Sequence, residues 1–322
     1  MPSDISWPTL PVAEWADTRD TLQLLTQIVG KIRLTHSPLL NHWWNVPLYV
    51  TATGLTTSLM WTKDGRGFQI DFDFVHHHLV IQTTGARRTV ALAPRPVASF
   101  YREITSKLDE LGIDPEVWTM PVEIPGATPF DRDEVHAAYD REYVERFWHL
   151  LIRTSQVMNE FRARWVGKAS PVHLFWGALD LATTRFSGRT APPHAGGAPH
   201  CAPHIMLEAY SHEVSSAGYW PGGGGEGAFY SYSYPEPPGY RDAPVRPAEA
   251  AYNADLGEFV LPYEVVRTAA DPQTVLLDFL QTTYEAAADR GGWDRQMLER
   301  ALPTWTSDTI AAHGPLVDTL PR

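Results

Sequence analysis

Side chains that are costly to bury unless they find partners or do chemistry gather in one stretch of this sequence, Ser170 to Arg189, reading SPVHLFWGALDLATTRFSGR. It sets a histidine, a tryptophan, an aspartate and two arginines into an apolar segment, so it is expected to line a site. Read as one strand over 172–186, it places His173, Phe175, Gly177, Leu179, Leu181, Thr183 and Arg185 on one face and Asp180 on the other. Arg185 and Arg189 flank Ser187-Gly188. Guanidinium groups so placed can grip a carboxylate or phosphate in bidentate fashion. Equally, Arg185 can pair with an internal acid such as Asp71, Asp73 or Asp180.

A second stretch, HIMLEAYSHEVSSAGYWPG over 204–222, reads as a strand with Ile205, Leu207, Ala209, Ser211 and Glu213 on one face. Glu213 then continues an apolar stripe, where a carboxyl tends to hold its proton and can act as acid or base, or balance an arginine. His173 and Glu213 are therefore the expected acid–base pair, and Arg185 and Arg189 the anchors. Trp44, Trp176, Tyr219 and Trp220 are the expected aromatic walls. His42 and Asp180 complete the ligand-binding set, and Tyr230, Tyr232 and Tyr234 form either core or a ligand platform.

Metal chemistry finds little support in the spacing. His76-His77-His78 and His200-x3-His204 with Cys201 have no second ligand pair at zinc spacing, and His212-Glu213 lacks the following His of HExxH. No metal is expected, and no cofactor is indicated. Neither a GxSxG elbow, a P-loop lysine nor a strand–GxGxxG–helix unit occurs.

These groups need elements to hold them. Leu22, Leu25, Val29 and Ile32 predict a helix from Asp17 or Thr18, behind a Pro-rich arm at 1–16. Residues 67–92 alternate, with Phe68, Ile70, Phe72 and Phe74 in one phase and Leu79 and Ile81 in the other. A turn at Val75–His78 explains the shift. Residues 97–112 predict a second helix ending at Gly112. After a Pro-rich crossing at 120–139 the order recurs: a long helix through Phe147, Leu151, Met158 and Trp165, strands at 204–219, 228–234 and 258–263, and a helix at 272–290. Val29-Gly30-Lys31 and Val166-Gly167-Lys168, each followed by Ser-Pro and then Trp44 or Trp176, suggest an internal duplication. The expected fold is α+β, mainly antiparallel sheet flanked by helices, with related halves at 17–119 and 140–300 and a tail at 301–322.

Composition bounds the rest. The 322 residues are 43% hydrophobic and 20% charged, with 12 Trp and 13 Tyr, a globular balance rich in aromatic walls. The formal net charge of −12 argues against non-specific nucleic-acid binding. No apolar run is long enough to span a bilayer, and the N-terminus has no signal-peptide pattern. The single cysteine, Cys201, cannot form an internal disulfide, so a cytoplasmic location is expected. The oligomeric state is not readable.

NHWWNVPLYVTATGLTTS, IDFDFVHHHL, SPVHLFWGALDLATTRFSGR, SHEVSSAGYWPG and FYSYSYPEP together resemble the bacterial family catalogued as domain of unknown function 5996, from Trp7 to Trp293. The resemblance implies that these motif residues form one unit and implies no activity, substrate or cofactor. Three readings follow from the residues: an enzyme acting on a small organic anion, a non-catalytic small-molecule sensor, or a structural protein with internal polar networks.

Overall fold

A computed structural model describes residues 7–300; the expected C-terminal tail, and the first six residues of the arm, lie outside the described residues. Helix α1 (Val12–Thr35) starts earlier than expected, directly after Pro11, whose fixed φ suits a helix entry. The arm therefore ends at residue 11, and Trp15 packs inside the helix against Phe147. The apolar positions expected for this helix, Leu22, Leu25, Val29 and Ile32, are all buried.

The chain then runs through a short 3-10 turn, Asn41–Trp43, into an antiparallel sheet of β1 (Tyr49–Thr51), β2 (Gly54–Thr56), β4 (Gly67–Asp73), β5 (His78–Thr83) and β6 (Arg87–Ala91), with β3 (Met60–Trp61) paired to β4. The β4–β5 hairpin accounts for the phase shift. Phe72 faces Leu79 and Ile70 faces Ile81, and cross-strand partners share a face. Helix α2 (Val97–Asp109) buries Phe100, Ile104 and Leu108.

After the Pro-rich crossing comes α3 (Arg141–Ala163), whose N-cap Asp140 accepts from the amides of Glu142 and Tyr143. It leads into a second antiparallel sheet. In spatial order this is β11 (Ala251–Asn253), β12 (Glu258–Pro262), β10 (Ala228–Tyr234), β9 (His212–Trp220), β8 (Asp180–Thr190) and β7 (His173–Phe175). Helix α4 (Pro203–Ala209) interrupts β8 and β9. Helices α5 (Tyr263–Thr268), α6 (Pro272–Arg290) and α7 (Arg295–Leu298) close the described chain. The fold is thus α+β with antiparallel sheets and flanking helices, as expected, around one contiguous core drawn from both sheets.

Three expectations change. Residues 172–186 are two strands joined by a turn in which Leu179 takes φ 61°, so the single face drawn through His173 and Arg185 does not exist. Residues 203–209 are helical: Pro203 opens the helix, and Ile205, Met206 and Ala209 fit helical spacing better than strand alternation. The recurring motifs of the two halves also take different places. Gly30-Lys31 lies inside α1, whereas Gly167-Lys168 lies beyond α3. Trp44 precedes its strand by several residues, and Trp176 follows β7 directly.

The ladder register separates two faces of the second sheet. Leu181, Thr183, Arg185, Tyr219, Phe229 and Leu261 fall on the side packed against α3 and α6. Asp180, Ala182, Thr184, Phe186, Ser216, Tyr230 and Tyr232 fall on the other.

Candidate functional site

That second face is the floor of a cavity of about 740 Å³, within the range of small-molecule sites. Asp180, Ala182, Thr184, Phe186, Tyr230 and Tyr232 supply the floor. The roof is the segment 198–210 with α4, and the walls are the 3-10 turn, the C-terminal end of α1, residues 116–123 leading into the Pro-rich crossing, and the β7–β8 turn.

Alternation along β8 and β10 aims the floor residues the same way. Tyr230 donates to the Asp180 carboxylate. Tyr210 and Tyr232 join hydroxyls at 2.8 Å, as do Thr184 and Ser216. Burial, then the Tyr230 hydrogen bond working against it, leaves the Asp180 carboxyl pushed up to about 6. Glu123, with φ 61°, lines the same cavity. Burial, then the charge of Asp180, pushes its carboxyl up to about 7. By area Glu123 is exposed, but that area opens onto the cavity it lines, so the group is accessible yet poor in water. The carboxylate lies directly over Gly177, where an added Cβ would collide with it. Glu258, on the floor face of β12, is likewise raised to about 7 by burial and then by Asp180.

Basic groups occupy other parts of the lining. Lys31 donates to the carbonyls of Trp118 and Met120 and lies 4.6 Å from the centre of the Trp118 ring. Burial brings its ammonium down to about 8. His42 donates from Nδ1 to the Ala209 carbonyl at 3.0 Å and accepts from Lys168 at Nε2 at 2.6 Å. That arrangement is the neutral tautomer, consistent with a pKa lowered chiefly by burial. Trp43 bonds the Ile205 carbonyl and so ties the roof helix to the 3-10 turn. Trp176 bonds the Val46 carbonyl and lies flat on Gly30, where a Cβ would strike its ring.

Of the residues expected from sequence, His42, Trp44, Trp176 and Asp180, with Tyr230 and Tyr232 of the expected platform, line this cavity; His173, Glu213, Arg185, Arg189, Tyr219, Trp220 and Tyr234 do not. His173 is fully buried beside Tyr49 and Phe175, with no partner for either ring nitrogen. Burial, then Arg33 and Arg162, brings its pKa down to about 3. Glu213 accepts from Ser187 and Arg189 at the far end of β9. The register runs from His173 through Ala182 to Gly218, so Glu213, five residues further on, is displaced by roughly 16 Å along the strand. The acid–base pair is thus not assembled.

Arg185 faces the core side, boxed by Phe161, Trp165 and Tyr284 with its guanidinium 3.5 Å from the Phe161 ring centre. Burial lowers its pKa to about 9. It pairs with none of Asp71, Asp73 or Asp180. Arg189 clips Glu213 and the carbonyls of Gly291 and Gly292. Tyr219 is core, bonded to the Glu226 carbonyl, and Trp220 is exposed outside the cavity. The acid and the cation of the lining that sequence reading missed, Glu123 and Lys31, come from a Pro-rich crossing and a helix end. The only local sign of either was the Gly30-Lys31 motif.

His77 is bonded to Tyr139 and Glu145, and His76 to Asp73. Among the described residues no three His, Cys, Asp or Glu side chains gather as a metal site. No described helix is long and apolar enough to cross a membrane.

Comparison with known proteins adds one match. The model of a family of unknown function, DUF5996, covers residues 7–300, so the chain belongs to that family. No curated protein and no solved structure matches it.

Proposed function

We propose that this DUF5996 protein binds a small organic molecule in the cavity over its second sheet. One observation carries the reading: the costly features of the chain concentrate on that lining. Seven described non-glycine residues take left-handed φ: His42, Trp43, Ser58, His77, Glu123, Leu179 and His200. Four of them, His42, Trp43, Glu123 and His200, line the cavity. Backbone of this kind costs of order 1–3 kcal/mol per residue and clusters where a site needs it. The desolvated carboxyls Asp180 and Glu123 stand on the same lining, as functional carboxyls often do.

An enzymatic form of this reading moves the acid–base role from His173 and Glu213 to Asp180 and Glu123. Carboxyls at about 6 and about 7 suit proton transfer near neutrality. The Arg185 and Arg189 anchors drop out of it, and with them the argument for an anionic substrate. Internal polar networks account for Arg189 and Glu213 but leave the cavity lining without a purpose.

The test uses N-phenyl-1-naphthylamine, a neutral dye that brightens in apolar cavities. Wild-type protein should give a saturable fluorescence increase. Met206→Trp, which places an indole from α4 into the cavity, should abolish it while the melting temperature stays near wild type. Equal enhancement in both proteins would place the dye elsewhere and sink the reading.

A further inference from the structure

Resting on that cavity, we infer that its ligand carries a protonated amine, seated between Glu123 and Asp180. Neither carboxyl has a counter-ion in contact with it. Among the described residues no lysine, arginine or histidine reaches either carboxyl; what acts on Glu123 is burial and Asp180, and what acts on Asp180 is burial, the Tyr230 hydroxyl and a backbone amide. The lining ammonium, Lys31, is held by two carbonyls, and Lys168, outside the lining, bonds His42.

The groups that face the pair do not supply the missing charge. Tyr230 and Tyr232 face Asp180 from β10, Glu258 faces it from β12, and Tyr210 faces both acids from the end of α4. Cys201 faces Glu123 from the roof. Each of these is neutral or acidic. A desolvated carboxylate pair with no cation is costly, and a bound ammonium offsets that cost through charge and through its three donors.

The surrounding walls suit the same guest. Phe175, Trp176 and Tyr230 line the same cavity, Phe175 and Tyr230 directly beside Asp180, and aromatic faces attract cations. Gly177 keeps the place for the Glu123 carboxylate open, since any side chain there would occupy it. An anionic ligand would meet like charge at this pole.

Three matched probes separate this inference from the cavity reading beneath it: 2-phenylethylamine, 2-phenylethanol and phenylacetate, titrated against the full chain by quenching of its tryptophan fluorescence. The amine should bind at least about tenfold more tightly than the alcohol, as one charged hydrogen bond implies, and phenylacetate most weakly. Glu123→Gln and Asp180→Asn should each erase most of that preference, weakening the amine far more than the alcohol. From pH 5.5 to pH 8 the amine should gain affinity as the carboxyls ionise, with the alcohol flat. Equal binding of amine and alcohol, or tighter binding of phenylacetate, overturns the amine and keeps the cavity. Absence of binding by all three probes overturns both.

Discussion

The two faces of the second sheet each bury a charged side chain from the same strand, and they handle it in opposite ways. On the helix side, the Arg185 guanidinium is sandwiched by Phe161 and Tyr284 and spends a hydrogen bond on the Phe161 carbonyl. Nothing small has room to approach it. On the other side, five residues earlier, Asp180 holds one tyrosine hydroxyl and otherwise borders open space. A charge enclosed by rings belongs to the core, whereas one left on a cavity wall without a counter-ion is available to a ligand. The alternation of β8 sorts the two, and no feature of either side chain taken alone would do so.

The contrast breaks first at Arg185. Arg185→Ala should cost about 3 kcal/mol, because it empties an aromatic box that cannot close. Arg185→Met, which refills the box without charge, should stay within about 1.5 kcal/mol of wild type. Urea unfolding reads both, and a severe loss in the Met variant would mean that the charge itself is needed and that the ring-box account is wrong.

Asp180 should behave in the reverse sense. Its folded pKa of about 6 lies above that of an unfolded aspartate near 3.9, so the folded chain holds the proton more tightly. Its contribution to stability is therefore most favourable below the unfolded value and falls as pH rises through the window from about 4 to about 6. Asp180→Asn lacks that loss. It should gain roughly 1 kcal/mol on wild type between pH 4 and pH 7, seen as converging melting curves at the acid end. An Asn variant that is less stable at pH 7 than at pH 4, relative to wild type, would contradict a desolvated carboxyl.

The smallest effect belongs to Arg189, half exposed and clipped to Glu213 at the sheet's edge. Arg189→Ala should cost about 0.5 kcal/mol and leave dye binding untouched. A loss of binding in that variant would return the strand end to the site.

How much of this was legible follows from the same geometry. Local periodicity gave the β4–β5 hairpin, α2, β10 and α6, because each is an uninterrupted pattern with its own stop signal. It failed at Gly177–Leu179, where a turn hides inside a continuous apolar run, and at 203–209, where about two helical turns imitate alternation. Those two misreadings are what made His173, Arg185 and Glu213 look convergent. Asp180, Trp44, Trp176 and His42 were found because they sit in segments dense with aromatic and polar residues. Glu123 and Lys31 escaped because they meet the floor only after the chain has folded, from segments about ninety residues apart, and no window of sequence holds both.

The two sheets touch through a single pair of backbone bonds among the described ladders. The Leu48 amide donates to Leu174 at 2.9 Å and the Leu174 amide returns the bond at 2.7 Å. Leu48 lies two residues after the 41–46 segment that walls the cavity, so this stitch is where the first half holds its part of the wall against the second. Any sub-global opening that swings that wall outward must break both bonds at once. The exchange rates of these two amides with deuterated water would then rise and fall together, and a tenant in the cavity would slow the pair in step although neither leucine touches it.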